Sequence, residues 1–492
     1  MRRNWGASLA LAAMLAGCGG GGGGGGSGAV ASNPGATPTP TAVAGCSLRE
    51  RQDWAAAQLR EWYLFPETLP TSLDPTPYAN VSDYVDALTA TARGQRRDRY
   101  FTFLTSIKAE DAYYNSGQSA GFGIRLALDS TGQRLFITEA FEGAPALAAG
   151  VDRGAEIVSI GTTASNLRTV SAIVAAEGSQ GLINALGPDT AGTARVLRIT
   201  DAGGTRNVTL AKTDFTLTPV SSRYGAKVIS EGGQSVGYVN LRTFITTADP
   251  ALRAAFAQFR AAGVTNIIVD LRYNGGGLGS IAELMGDLMG ANRSTSEVFS
   301  YTVFRPEKSA ENFTKMFAPQ PQSVAPTRVA FIGTGGSASA SELVINAFIP
   351  YLHANGALIG SNTYGKPVGQ IGLDKPACDD RLRVVAIATQ NAARQGDYFD
   401  GLATKVEASC RANDDIGYPM GDPREASTRA ALDFLAGRSC TRIAAVAGST
   451  ATSGAGTSGQ RTVTTLEPDV QARDLLIPDR PTTPQREVPG LY

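Results

Sequence analysis

Histidine is nearly absent from this chain, and cysteine is scarce. Among 492 residues there is one His, His353, and five Cys. No pair of cysteines has C-x-x-C spacing, and with one His available the usual zinc donor sets cannot be assembled. An excess of charge of either sign is also missing. Lys plus Arg number 44 and Asp plus Glu number 44, so the chain lacks the basic surplus of a nucleic-acid binder. There is no long N-terminal hydrophobic run either. The apolar stretch at 6–17 is too short to cross a bilayer as a helix.

What the N-terminus does contain reads as an export signal. Arg2 and Arg3 precede the apolar stretch, which ends in Leu15-Ala16-Gly17-Cys18. This order resembles a bacterial lipobox, implying cleavage before Cys18 and lipidation of its thiol. Each buried acyl CH₂ would add about 0.8 kcal/mol of membrane affinity. The expected location is the cell envelope, lipid-anchored on the periplasmic side. Gly19 after Cys18, in place of Asp, points to the outer membrane of a diderm bacterium. Residues 1–18 are thus read as signal and 19–45, rich in Gly and Pro, as a flexible tether. Residues 441–492, rich in Ser, Thr, Gly and Pro, are read as a disordered or loosely attached low-complexity tail. Export permits disulfides. The remaining cysteines, Cys46, Cys378, Cys410 and Cys440, allow three pairings. Cys378–Cys410 as a local staple and Cys46–Cys440 joining the ends of the folded body are the pairs expected.

Periodicity divides the middle of the chain. Residues 46–117 read as a small helical region, with a helix over 47–65 opened by the Ser47/Glu50 capping pattern and another over 82–92. From 118 to 212 short strand-like runs dominate, including 135–138, 156–160, 194–200 and 207–211, with a short helix over 144–149. From 213 to 440 strands and helices alternate, which predicts an α/β domain of right-handed βαβ units. Its strands are expected at 236–241, 266–271, 328–332, 357–360 and 384–389. A helix is expected with Asp249 as N-cap and Pro250 at its first position.

Three segments of this domain could carry chemistry. Gly335-Gly336-Ser337-Ala338-Ser339-Ala340-Ser341-Glu342 follows a buried strand and opens a helix, where free N–H groups and the positive dipole end favour a developing anion. The same serines would serve equally as caps and small packing residues. Lys366 stands between Gly365 and Pro367 among small and apolar neighbours, a setting that favours burial. Burial lowers a lysine pKa from about 10.4 and yields a neutral base. Gln370 is spaced to hydrogen-bond and orient it. Asp270-Leu271-Arg272-Tyr273-Asn274-Gly275-Gly276-Gly277 ends another buried strand, at the sheet edge where α/β folds place their sites. His353, near a helix end and without a nucleophile-elbow context, is read as non-catalytic.

Two resemblances draw these segments together. Gly121-Phe122-Gly123-Ile124, with Gly143-Ala144-Pro145 and Gly154-Ala155-Glu156-Ile157, resembles a PDZ domain. This implies that 121–124 receive a peptide C-terminus while the peptide adds a strand. Asp-Leu-Arg-x-Asn-x-Gly-Gly (270–277), Ser-Ala-Ser-Ala-Ser-Glu (337–342) and Gly-Lys-x-x-x-Gln (365–370), in this order after the PDZ-like module, resemble the S41 peptidases, the tail-specific processing proteases. That resemblance implies an α/β (α+β overall) fold with a ClpP/crotonase-like catalytic domain. It further implies Ser339 as nucleophile, Lys366 as general base, Gln370 as its orienting partner and an oxyanion hole from the N–H groups of Ala340 and Gly276. No cofactor is implied. The implied partners are polypeptide substrates, engaged through C-terminal or extended segments. The sequence departs from the pattern in a Ser-to-Lys spacing about two residues longer, in Pro367 and Gly275, and in residues 376–415, which look like an insertion. A peptide-binding scaffold with an inactive catalytic domain is the alternative reading, and a small-molecule hydrolase a more distant one.

Overall fold

The computed structural model describes residues 43–444 and 473–492. Cys18, the signal segment, nearly all of the tether and residues 445–472 lie outside the described residues.

The helical region begins where the capping signal places it. Helix Leu48–Trp62 starts after Ser47, whose N–H donates to Glu50 Oε2 at 3.0 Å while Glu50 N–H donates to Ser47 Oγ at 3.3 Å. Helix Val81–Leu88 packs beside it, and both bury their apolar faces on a five-stranded sheet through Leu382, Val384 and Val385. That sheet was not anticipated. Its central strand, Asp380–Gln390, pairs antiparallel with Phe103–Ser106, Val298–Phe304 and Val368–Lys375. The run at 384–389 therefore does not complete the parallel sheet. An apolar run looks alike in either setting, and the choice falls to the strands available beside it. The α/β sheet instead takes Ala408–Arg411 as its last strand, so 376–415 supplies one strand to each of two sheets.

That sheet has six strands in the order 226–231, 234–240, 266–270, 328–333, 356–360 and 408–411, all parallel after the first pair. Its strands are apolar on both faces because both are covered. Ile267 and Val269 face helices Ala248–Ala261, Gly279–Leu288 and Ala340–Leu352, while Ile268 faces helix Ala426–Leu435. The first of these helices begins at Ala248 after Thr247, two residues before the expected first position. Asp249 is no cap: its carboxylate accepts from Arg253 Nε at 2.7 Å, one turn on.

Residues 124–211 form a sheet around a core that includes Phe122, Ile124, Leu126, Ile137 and Leu197. A helix over Val170–Leu186, not foreseen, packs on it. Gly123 has φ +71°, and a Cβ there would fall 1.9 Å from Ala144 Cβ, so no other residue fits that turn. A buried ion triad fastens this module to the α/β domain. Glu139 accepts from Arg125 Nε at 3.3 Å and from Arg242 Nε at 2.6 Å.

The reading of 441–492 as a loose tail fails for its last part. Arg473–Leu475 pairs antiparallel with Ile124–Asp129, and Val488, Leu491 and Tyr492 are 0%, 2% and 1% exposed. A composition rich in Pro and Thr hid the few apolar anchors. The disulfides also differ from expectation: they join Cys46 to Cys378 and Cys410 to Cys440. The first helix docks on the antiparallel sheet, where Arg51 meets Asp380 at 2.6 Å, and this carries Cys46 to Cys378. Cys410 lies on the last parallel strand, against the segment leaving helix Ala426–Leu435. Because Cys46–Cys378 closes a loop of 332 residues, the double variant Cys46→Ser/Cys378→Ser is expected to lose about 2–4 kcal/mol of stability. Urea unfolding of parent and variant measures it; equal midpoints would refute it.

Candidate active site

The site lies at the carboxyl ends of the parallel strands. After strand Asn266–Asp270 the chain turns sharply, held by a buried cation. Arg272 donates from Nε to Asp270 at 3.0 Å, from Nη2 to Glu425 at 2.9 Å and from Nη1 to Asp414 at 2.9 Å. Burial pushes Glu425 upward, but the Arg272 charge and its hydrogen bonds prevail and hold the carboxyl down at about 2. Tyr273 then takes φ +63°, and Asn274 ties the turn to its neighbours. Its Nδ2 donates to Leu241 O at 2.8 Å, its Oδ1 accepts from Gly276 N–H at 2.9 Å, and its carbonyl accepts from Ala338 N–H at 3.0 Å. The Asp-Leu-Arg-x-Asn portion of the motif is thus a frame.

Three serines compete for the nucleophile's place, and their hydroxyls separate them. Ser337 Oγ donates to Leu271 O at 2.7 Å and Ser341 Oγ to Asn274 O at 2.9 Å; both residues are fully buried. Ser339 is half-buried, at the N-cap of helix Ala340–Leu352. Its backbone has φ +54° and ψ −112°, a costly conformation for a residue with a side chain. Gly276 lies directly against it. A Cβ at 276 would fall 2.8 Å from Ser339 Cβ and 3.2 Å from Ala340 N.

Glu342 links this turn to the lysine. It is fully buried and accepts four hydrogen bonds: Oε2 from Ser339 N–H at 3.1 Å and Lys366 N–H at 2.7 Å, Oε1 from Thr363 Oγ and Gly365 N–H, both at 2.6 Å. Burial pushes its carboxyl upward, opposed by these donors. Sequence reasoning gave Glu342 no role. The Ser-x-x-Glu spacing of a capping box was the available signal, but Thr363 and Gly365 join only through the fold.

Lys366 Nζ donates to Gln370 Oε1 at 3.0 Å and lies 5.0 Å from the centre of the Phe101 ring. Gln370 is held in turn by donating to Phe101 O. Burial pushes the Lys366 ammonium down to about 8, against the upward pull of the Glu487 carboxylate. Among the described residues no hydrogen bond joins Lys366 Nζ to Ser339 Oγ; the two turns meet through Glu342. His353 is exposed and paired with Glu407 at 2.8 Å, at the far end of helix Ala340–Leu352.

Residues 121–124 stand where strand Ile124–Asp129 begins. Phe122 is buried in the module's core, and Ile124 N–H donates to Tyr492 O at 3.1 Å. The last segment of the chain was not foreseen at the site, yet Gly275 N–H donates to Glu487 O at 2.8 Å.

Residues 235–393, the stretch carrying Gly276, Ser339 and Lys366, match the model of Peptidase family S41. Over this stretch the chain is thus similar to the S41 peptidases. Among proteins of known assignment, the chain is 28% identical over 278 residues to carboxyl-terminal-processing peptidase 3, chloroplastic, of Arabidopsis thaliana, covering 54% of this chain and 49% of that protein. It is 27% identical over 328 residues to a carboxyl-terminal-processing protease of Picosynechococcus, covering 65% and 71%. The chain thus spans about half the length of the Arabidopsis relative. The crystal structure of a Bacteroides fragilis chain assigned to the S41 proteases superposes with a TM-score of 0.59 at 22% identity, covering 78% of this chain and 97% of that one, which establishes a shared fold.

Proposed function

We propose that the protein is a serine endopeptidase in which Ser339 is the nucleophile and Lys366 its base, acting on exported or envelope polypeptides. The observation that carries this reading is the buried Glu342, whose carboxylate accepts from the main chain of both Ser339 and Lys366. Neutral Lys366 takes the Ser339 hydroxyl proton as Oγ attacks the peptide carbonyl carbon. The oxyanion is received by the N–H groups of Ala340 and Gly276, the latter leaving Asn274 Oδ1. Lys366 returns the proton to the departing amine, and water then hydrolyses the acyl-enzyme. Attack requires Nζ to swing from Gln370 to Ser339, a movement that catalytic contacts often make only when substrate is bound. Residues 121–124 and strand Ile124–Asp129 act as a PDZ-like capture groove for an extended peptide end. Lipid on Cys18 keeps the enzyme at the envelope membrane.

The pH profile tests the base. Only the neutral amine is active, so kcat/KM on an unstructured peptide should fall about tenfold per unit below the lysine pKa and level off above about 8. A profile flat from pH 6 to pH 9.5 would remove Lys366 from the mechanism. No hydrolysis at any pH would leave a peptide-binding scaffold.

A further inference from the structure

Residues 484–492 follow a path that a bound polypeptide would need. Beside the lysine, the half-buried Glu487 carboxylate accepts from Tyr114 OH at 2.9 Å and interacts with the Lys366 ammonium. Its carbonyl accepts from Gly275 N–H, next to the glycine that touches Ser339, and a Cβ on Gly275 would lie 2.1 Å from Arg486 O. Two residues on, Arg125 Nη1 donates to Pro489 O at 3.0 Å and also to Tyr273 O at 2.9 Å. Then 490–492 add an antiparallel strand to Ile124–Asp129. Leu126 N–H donates to Gly490 O at 2.8 Å, Ile124 N–H to Tyr492 O at 3.1 Å, and Tyr492 N–H to Ile124 O at 2.9 Å. Leu491 and Tyr492 are buried, and the absence of a side chain at Gly121 makes room for Tyr492, whose carbonyl carbon would lie 2.6 Å from a Cβ there. This is strand addition to the start of a sheet edge that Arg473–Leu475 pairs further along, with backbone bonds for affinity and pockets for alternate side chains.

We infer that residues 484–492 are an internal occupant of the substrate path, docked on the groove strand and lying across the catalytic turns. They hold the enzyme closed until an external peptide displaces them. This rests on the peptidase reading above. The occupant also describes the displacing ligand: an extended segment with a small residue at the place of Gly490, followed by an apolar and an aromatic side chain. Gly490 has φ +84°, and a Cβ there would fall 2.9 Å from Leu126 O. Covalent attachment lets the internal segment compete at high effective concentration.

Two variants test this: a chain truncated after Arg480, and the point variant Gly490→Val, which expels the strand without shortening the chain. The probe is a fluorescein-labelled peptide of residues 481–492, with Ser339→Ala added to every chain for the binding arm. Both variants should bind the probe at least about tenfold more tightly than the parent. With Ser339 intact they should hydrolyse a test peptide about tenfold faster or more. Adding unlabelled 481–492 should slow the truncated enzyme again. Equal binding by parent and variants, or binding by none, overturns the inference, and so does equal hydrolysis. Should the truncated chain fail to fold, Gly490→Val alone decides. Hydrolysis that is absent throughout, with the difference in binding intact, would discard the peptidase reading and keep the docking. Hydrolysis that is present but equal would do the reverse.

Discussion

Ser339→Ala is expected to lower peptide turnover by roughly four to six orders of magnitude, the scale seen when a nucleophile is removed from a hydrolase. The loss should fall on kcat, because the hydroxyl forms its bond to substrate only during the reaction. Stability should change little. Ser339 is half-buried, and the side-chain bonds that knit the turn to its frame belong to Ser337 and Ser341. Single-turnover assays with thermal unfolding of the same samples separate the two effects. If Ser339→Ala retained even a tenth of parental turnover, the nucleophile would have to be sought elsewhere.

Glu342→Gln should be the next most damaging change at the site. Three backbone N–H groups and one hydroxyl point at two carboxylate oxygens. An amide keeps one oxygen and sets its own N–H₂ against donors. Buried donors are then left unsatisfied, at about 1–3 kcal/mol each. The geometric consequence is larger, since the Ser339 and Lys366 turns would no longer share an anchor, and a misplacement of about 1 Å costs on the order of a hundredfold in rate. The expected outcome is a fall in kcat of two to three orders with a lower unfolding midpoint and little change in KM. Glu342→Asp, which keeps the charge but shortens the reach, should fall between. A Glu342→Gln enzyme with more than half the parental kcat would show that the lysine is positioned without it.

The parts of this protein legible in its sequence are those that depend on neighbours in the chain. The capping pattern located the start of the first helix to within one residue, because Ser47 and Glu50 bond to each other's backbone. Apolar runs located strands 266–270, 328–333 and 356–360, because a strand covered on both faces must be apolar throughout. The lysine–glutamine bond was readable from a four-residue spacing. The run at 384–389 was readable as a strand but not as to its sheet. The cysteines were readable as a set but not as pairs.

By itself, then, the sequence determined the α/β character of the segment after 213, the three motifs and which residue types could do the chemistry. Only the tertiary structure decided which serine has its hydroxyl uncommitted to the frame, that Glu342 joins the Ser339 and Lys366 turns, and that a stretch rich in Pro and Thr packs along strand Ile124–Asp129. The physical reason is the range over which each signal acts. Caps, periodicity and short spacings are local, while hydrogen bonds such as Gly275 to Glu487 and Ile124 to Tyr492 join residues more than two hundred positions apart, and nothing near either partner in the chain announces the other.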